Sequence, residues 1–345
     1  MSVRSEAKSK STSTISYAHL LRLSDEHGIF EHAKFTTPRH ENGYSLDDVA
    51  RALVVVVREP EPTPELDALA TIYARFVIDA LTEDGRCHNR RGADLSWQDE
   101  PGVEDHWGRA LWALGSVVAR KPELAEQALP HFTIAARQRS RSRRAMAYAA
   151  LGAAEVRTAD PGNAAARALL ADAATVIGPP TRRLDWRWPE PRLHYANAVL
   201  AEALLVAGAE PGQGRTHADG LAMLRWLLEI ETAGDHLSVT PIDGWAAGER
   251  RPGFDQQPIE VGALADACAR AYDDTSDQRW KDAVRMCEAW FRGANDISTP
   301  LIDPASGGCC DGLEPTGINE NQGAESTLAL LSTLQQANRL RLEDE

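Results

Sequence analysis

Apolar residues at three- and four-residue spacing run through nearly the whole chain, in blocks of which every second one is preceded by a polar cluster. That period lays apolar side chains along one stripe of an α-helix, whereas strand-like alternation is confined to short pieces such as 236–242. The spacing predicts about twelve helices, near 15–26, 46–58, 64–82, 104–120, 121–136, 143–157, 163–177, 192–208, 215–231, 257–274, 277–293 and 320–339. Pro64 suits a first helical turn, and Gly115, Gly208 and Pro211 lie near expected ends. On 104–120, Trp107, Ala110, Leu111, Leu114 and Val118 share a stripe that must be buried against neighbours.

The polar clusters stand ahead of, or in the first turn of, alternate helices. They are Gly43 to Asp48, Glu104 to Arg109, Asp185 to Glu190 with His194 and Asn197, Phe254 to Pro258 with Glu260, and Asn319 to Gln322 with Glu325. Long connections rich in Gly, Pro, Asp and aromatics fall at 84–103, 178–191, 232–256 and 294–318. Connections of that length inside a compact domain carry function, and their Trp residues argue for ordered packing. If helices alternate between an inner and an outer ring, clusters and connections open onto one mouth. The expected fold is all-α: an (α/α)6 toroid of about twelve helices, with long loops and short β-hairpins at one rim. A superhelical stack of helix pairs would show a repeated motif of fixed period, and the clusters are alike in character but not in sequence.

The chain has 345 residues, longer than a usual single domain, yet no linker divides it. Residues 1–14, rich in Ser, Lys and Thr, read as a disordered leader, and 15–340 as one toroid domain. A formal charge of −14 and a pI near 5.2 argue against nucleic acid, which needs a basic surface. The basic run Arg137 to Arg144 reads as a solvated helix start or loop, with an anionic-ligand contact as the alternative. The leader lacks the apolar core of a signal peptide and no membrane span is expected, which points to the cytoplasm; Cys87, Cys268, Cys287, Cys309 and Cys310, an odd count without metal-ligand spacing, fit a reducing compartment. With no phosphate-cradling Gly loop, nucleotide fingerprint or His-Cys cluster, nothing demands a cofactor or a metal.

The candidate catalytic groups are carboxylates: Glu104, Asp105, Asp255 and Asp48. Asp47 and Asp48 both fall in a first turn, but adjacent helical residues point about 100° apart, so only one can cap. Arg109 follows Asp105 by four residues, so an intrahelical pair would hold that carboxylate ionised and leave Glu104 freer to be an acid. Asp255, Gln256 and Gln257, followed by Pro258 and Glu260, offer donors and acceptors suited to sugar hydroxyls. Asp47, Arg109, Glu190, His194, Asn197, Asn321, Gln322 and Glu325 complete the polar candidates for substrate binding. Trp186 and Trp188, with Trp97, Trp107 and Trp245 nearby, could stack on pyranose faces or pack the loops.

Four segments carry a family resemblance: Gly43-Tyr-Ser-Leu-Asp-Asp-Val-Ala-Arg-Ala-Leu53, Gly108-Arg-Ala-Leu-Trp-Ala-Leu-Gly115, Phe254-Asp-Gln-Gln-Pro-Ile-Glu260 and Asn321-Gln-Gly-Ala-Glu-Ser-Thr-Leu328. From about Tyr17 to Leu334 the chain resembles a bacterial family of six-hairpin glycosidase-like (α/α)6 toroids, found alone or fused behind glycosyltransferase domains. It departs from that pattern at Val49 and Ala196, where family members tend to carry Asn and Asp. The resemblance implies a carbohydrate-active toroid acting on an oligosaccharide or glycan. A glycoside hydrolase with two cavity carboxylates comes first. A sugar epimerase or isomerase, needing a proton-transfer pair, and a non-catalytic glycan-binding module serving a glycosyltransferase are the alternatives. A terpene cyclase is set aside, because Ser45 stands where its acidic motif opens with Asp.

Overall fold

The structure, a computed structural model, describes residues 15–342, so the expected leader at 1–14 lies outside the described residues. Among the described residues there are twelve α-helices. They are α1 (Ala18–Arg22), α2 (Leu46–Arg58), α3 (Pro64–Asp79), α4 (Asp105–Arg120), α5 (Pro122–Ala135), α6 (Arg143–Ala159), α7 (Ala164–Ile177), α8 (Ala198–Gly208), α9 (Gly214–Ile230), α10 (Pro258–Thr275), α11 (Gln278–Phe291) and α12 (Ala324–Leu342). Several starts are fixed by a hydroxyl or amide that accepts an otherwise unpaired N–H: Ser45 from Asp48, Thr63 from Leu66, Ser142 from Ala145 and Asn163 from Ala166. None of these helices is long and apolar enough to cross a membrane.

The even-numbered helices form a closed ring. α2 packs on α4, α4 on α6, α6 on α8, α8 on α10, α10 on α12, and α12 returns to α2. The odd-numbered helices other than α1 lie outside: α3 against α2 and α4, α5 against α4, α7 against α6 and α8, α9 against α8, and α11 against α10 and α12. The burial pattern follows. Every residue of α8 is buried, whereas α5 buries only Ala128, Phe132 and Ala135. This is the (α/α)6 toroid that the periodicity predicts.

Each passage from an inner helix to the next outer one is short: 59–63, Lys121, 160–163, 209–213 and 276–277. The passages back inward are mostly long, at 23–45, 80–104, 178–197, 231–257 and 292–323, with 136–142 the exception. Two-stranded antiparallel pairings brace them, among them Tyr44–Ser45 with Arg90–Arg91, Arg192–Leu193 with Trp245–Ala246, and Gly312–Glu314 with Gly317–Asn319. The six inner helices therefore all begin at the same end of the ring.

Three helices start or stop well away from the expected positions. α1 is a single short helix because Asp25 accepts the N–H groups of His27 (2.8 Å) and Gly28 (3.1 Å) and turns the chain. α8 starts at Ala198 rather than 192, since Arg192–Leu193 is paired as a strand and Ala196 sits at φ +45°. α12 starts at Ala324, after the pairing of Gly317–Asn319.

Gly115 is not a helix end but the middle of α4, in one of the tightest contacts of the molecule. A Cβ there would stand 2.2 Å from the Gly152 carbonyl oxygen; one on Gly152 would stand 2.1 Å from that of Leu111, and one on Gly108 2.1 Å from that of Ala145. The α4 and α6 backbones touch, and no side-chain rotation can make room. Gly152→Ala is expected to destabilise the fold by about 1–3 kcal/mol, the usual range for overpacking, read as a lower urea midpoint with unchanged m-value.

Candidate active site

The mouth where the inner helices begin holds a basin of about 470 Å³. α2 brings Asp47, Asp48 and Arg51 to it and α4 brings Arg109; Tyr195 and Gln257 come from just ahead of α8 and α10, and Glu325 and Ser326 from the first turn of α12. Long connections add Glu31, His32, Asp311 and Asn319.

Two consecutive carboxylates have opposite environments. Asp47 receives Arg109 Nη1 and lies 3.2 Å from Asn89 Nδ2. Burial works to raise its carboxyl, but the fields of Arg109 and Arg51 overcome it and hold the group below the usual aspartate range. Arg109 is fixed in turn by Tyr148: its Nη2 donates to the phenol oxygen at 3.3 Å, and its guanidinium carbon lies 4.5 Å from the ring centroid. Asp48, 3% exposed, accepts from Ser45 Oγ and Arg51 Nη1, both at 2.8 Å. Burial pushes its carboxyl up to about 7; Arg51 pulls it down, while Glu325 and Glu31 reinforce the rise. Arg51 also reaches Glu325 at 2.8 Å. Across the basin, Gly323 N–H donates to Asp311 at 2.8 Å, and burial raises that carboxyl as well.

Of the four carboxylates expected to be catalytic, Asp48 lines the basin. Asp105 stands behind it, accepting from Ser142 Oγ at 2.9 Å and from the hydroxyl of basin-lining Tyr195. Arg109 reaches Asp47 on α2 instead of forming the expected pair with Asp105. Glu104 and Asp255 are exposed and outside the basin lining. Glu104 folds back over Gly102, where a Cβ would meet its Oε2 at 2.0 Å.

Of the residues expected to bind substrate, Asp47, Arg109, Gln257 and Glu325 line the basin. Others are spent on holding the rim together. Gln256 is fully buried, with its carbonyl facing Val239 N–H and Trp290 Nε1 at 3.3 Å each. Gln322 binds Ser306 Oγ (2.7 Å) and Asp303 (2.9 Å), and Asn321 Oδ1 takes the Phe35 N–H at 3.0 Å. Glu190 pairs with Arg144 at 3.0 Å, and Asn197 Oδ1 accepts from Arg144 Nη2 at 3.1 Å and from the His194 N–H at 3.0 Å. The His194 ring is exposed. Glu260 is a buried cap rather than a ligand group, receiving the N–H of Ala196, the N–H of Asn197 (3.2 Å) and Asn197 Nδ2 (3.2 Å) ahead of α8. Arg144, expected in a solvated run, is 6% exposed for the same reason. Trp186 and Trp188 are buried and pack edge-on and stacked with Trp226 at 5.2 and 6.0 Å, so they build core instead of offering a sugar platform.

Sequence reasoning missed Arg51, Tyr195, Glu31, His32 and Asp311 as site residues, while Asn319 falls in one of the expected polar clusters. Arg51 carried a signal, since it follows Asp48 by three residues on one helix face. Asp311 carried none, lying in a Gly-Cys loop. Among the described residues no group of three or more His, Cys, Asp or Glu is placed to hold a metal ion.

No family model matches the chain, and no curated relative matches it. Solved structures do. A sugar epimerase from a ruminal bacterium superposes with a TM-score of 0.71 at 12% identity, covering 94% of this chain and 95% of its own. The cellobiose 2-epimerase of Bacillus thermoamylovorans gives 0.71 at 9% identity over the same shares. An inactive variant of an α-1,6-mannanase from Salegentibacter, in complex with α-1,6-mannotriose and with two consecutive aspartates changed to asparagine, gives 0.60 at 8% identity over 94% and 96%. At these identities the likeness is one of architecture, and it agrees with the ring of inner and outer helices: the chain has the fold of the six-hairpin glycosidase-like (α/α)6 toroids.

Proposed function

We propose that the protein is a carbohydrate-active enzyme, a glycoside hydrolase that holds an oligosaccharide in the basin and cleaves it with a carboxyl pair at the start of α2. One observation carries the reading. Asp47 and Asp48 are neighbours in sequence, yet one is held ionised by Arg109 while burial raises the other to about 7. Carboxyls whose environments drive them apart are what an acid and a base on one site require. Asp48 is the proton donor to the leaving oxygen, and Asp47 is the carboxylate that supports attack at the sugar carbon. Glu325, tied to Arg51, and Gln257 orient the ring. The mannanase, inactive with two consecutive aspartates replaced, supports the choice of an adjacent pair. Five free, buried cysteines suit a reducing cytoplasm.

The test is a panel of oligosaccharides assayed for reducing-end release, with Asp47→Asn and Asp48→Asn beside the wild type. Turnover insensitive to both changes would overturn the assignment. Arg109→Gln is expected to raise the Asp47 carboxyl, so the acid limb of the pH–rate profile should move to higher pH.

His32, at the basin edge 3.7 Å from Glu31, favours a second reading as a sugar epimerase or isomerase, because it offers a proton-transfer group. Product analysis by NMR separates the two, since epimerisation leaves every glycosidic bond intact. Calorimetric binding of glycans without any turnover would instead support an accessory module working beside a glycosyltransferase.

A further inference from the structure

Below the basin the axis of the ring holds a second cavity of about 50 Å³, and Arg51 lines both. The walls of this chamber are Val54, Leu151, Val199, Ile259 and Leu328, with Trp112 and Tyr148 stacked at 5.8 Å and 25°. Its far end is polar but satisfied: Asp266 accepts from Arg58 Nη1 and Ser332 Oγ at 3.0 Å and from Gln336 Nε2 at 2.7 Å.

Glu202 differs from the rest of that lining. It is 4% exposed, stands in the chamber wall, and among the described residues its carboxyl has no hydrogen-bond partner. A buried polar group without a partner costs free energy that a bound oxygen would recover. Burial, reinforced by Asp266 and Glu155 against Arg270 and Arg58, raises this carboxyl far above the usual range, which leaves it a donor as well as an acceptor.

We propose that the chamber is a binding site for a short alkyl group ending in an oxygen, its carbons against the aliphatic and aromatic walls and its oxygen on Glu202. A volume of about 50 Å³ is room for about three to five non-hydrogen atoms, at 10–15 Å³ for each water-sized occupant. The group comes either as a free short-chain alcohol or as the alkyl tail of a glycoside whose sugar lies above Arg51. Binding of free alcohols does not depend on the carbohydrate reading, so the two can fail separately.

The experiment titrates ethanol, n-propanol, n-butanol and n-hexanol into the full-length protein, followed by tryptophan fluorescence and by the rise in unfolding temperature. Affinity is expected to tighten about fourfold per methylene up to n-butanol and then to stop, because the chamber is full. Val199→Phe fills the space and should weaken n-butanol at least tenfold; Leu151→Phe, on the neighbouring inner helix α6, serves the same purpose should the first variant not fold. Glu202→Leu removes the polar anchor and should weaken n-butanol while leaving the protein folded. Affinity that goes on rising through n-hexanol, a response unchanged in the filled variants, or no saturable response at all would overturn the proposal. With n-butyl and methyl glucosides and mannosides, tighter binding of the butyl compound that disappears in Val199→Phe assigns the site to a glycoside tail. Equal affinities assign it to the free alcohol.

Discussion

Asp48→Asn is expected to lower turnover by at least about a hundredfold, the low end for loss of a general acid, and at the same time to make the protein more stable in mild alkali. Both effects have one cause. Burial raises the Asp48 carboxyl from 3.8 to about 7, so the folded protein binds a proton there that the unfolded chain has released. A group raised on folding contributes its full stability below the unfolded value near pH 4, and that contribution is lost as pH rises through 7. At pH 8 the wild type has lost about 4 kcal/mol, taking three units at 1.36 kcal/mol each. Asparagine cannot ionise and escapes that loss, and Arg51 keeps Glu325 as its counter-charge. Urea unfolding at pH 5 and pH 8 should show the wild type weakening on going up and the variant much less so. Unchanged turnover would remove Asp48 from the reaction, and equal pH dependence would remove the buried proton.

Glu260→Ala is expected to destabilise the ring by about 3–5 kcal/mol, since each buried donor left without an acceptor costs roughly 1–3 kcal/mol. The carboxyl group takes two backbone N–H groups and one side-chain amide at the entry to α8, where the N-terminal residue, Asn197, makes no side-chain cap of its own. Alanine strands these donors in a place that water does not reach. Glutamine keeps one acceptor oxygen and should cost far less. Burial and the charge of Glu231 push Glu260 up to about 8 against those hydrogen bonds, so its contribution, complete below about pH 4, is lost as pH rises through 8. Amide exchange at Ala196 and Asn197 would check the mechanism: both should lose protection in Glu260→Ala, and an unfolding midpoint unchanged from wild type would refute it. Tyr195 sits in the same loosened segment and lines the basin, so turnover should fall with stability.

The helices were legible because their signal is local. A stripe of apolar side chains declares the starts of α2, α3, α4 and α6 within about a residue of where they fall. The polar starts also marked five of the six helices that line the axis, all but α6. The site was legible only in part. Asp48 and Glu260 share one description in the sequence, an acid in the first turn of an inner helix, yet one faces the basin and the other is closed over by the 194–197 turn. That difference comes from a strand pairing between Arg192–Leu193 and Trp245–Ala246, which no local pattern encodes. The same holds for Trp186 and Trp188, whose packing partner Trp226 lies on a separate outer helix.

The inward passages of the chain, 136–142 apart, are long and help to line the basin, while the outward ones span only a few residues. Variation is thereby confined to one pole of the molecule. Residues can be added to, removed from or exchanged within the rim between 231 and 257, or between 292 and 323, without altering the register of any helix in the ring. At the other pole a single inserted residue beside Lys121 would displace α5 against α4. New specificity on this scaffold is therefore expected to arise from segment exchange at the rim, with the opposite pole kept nearly invariant in length.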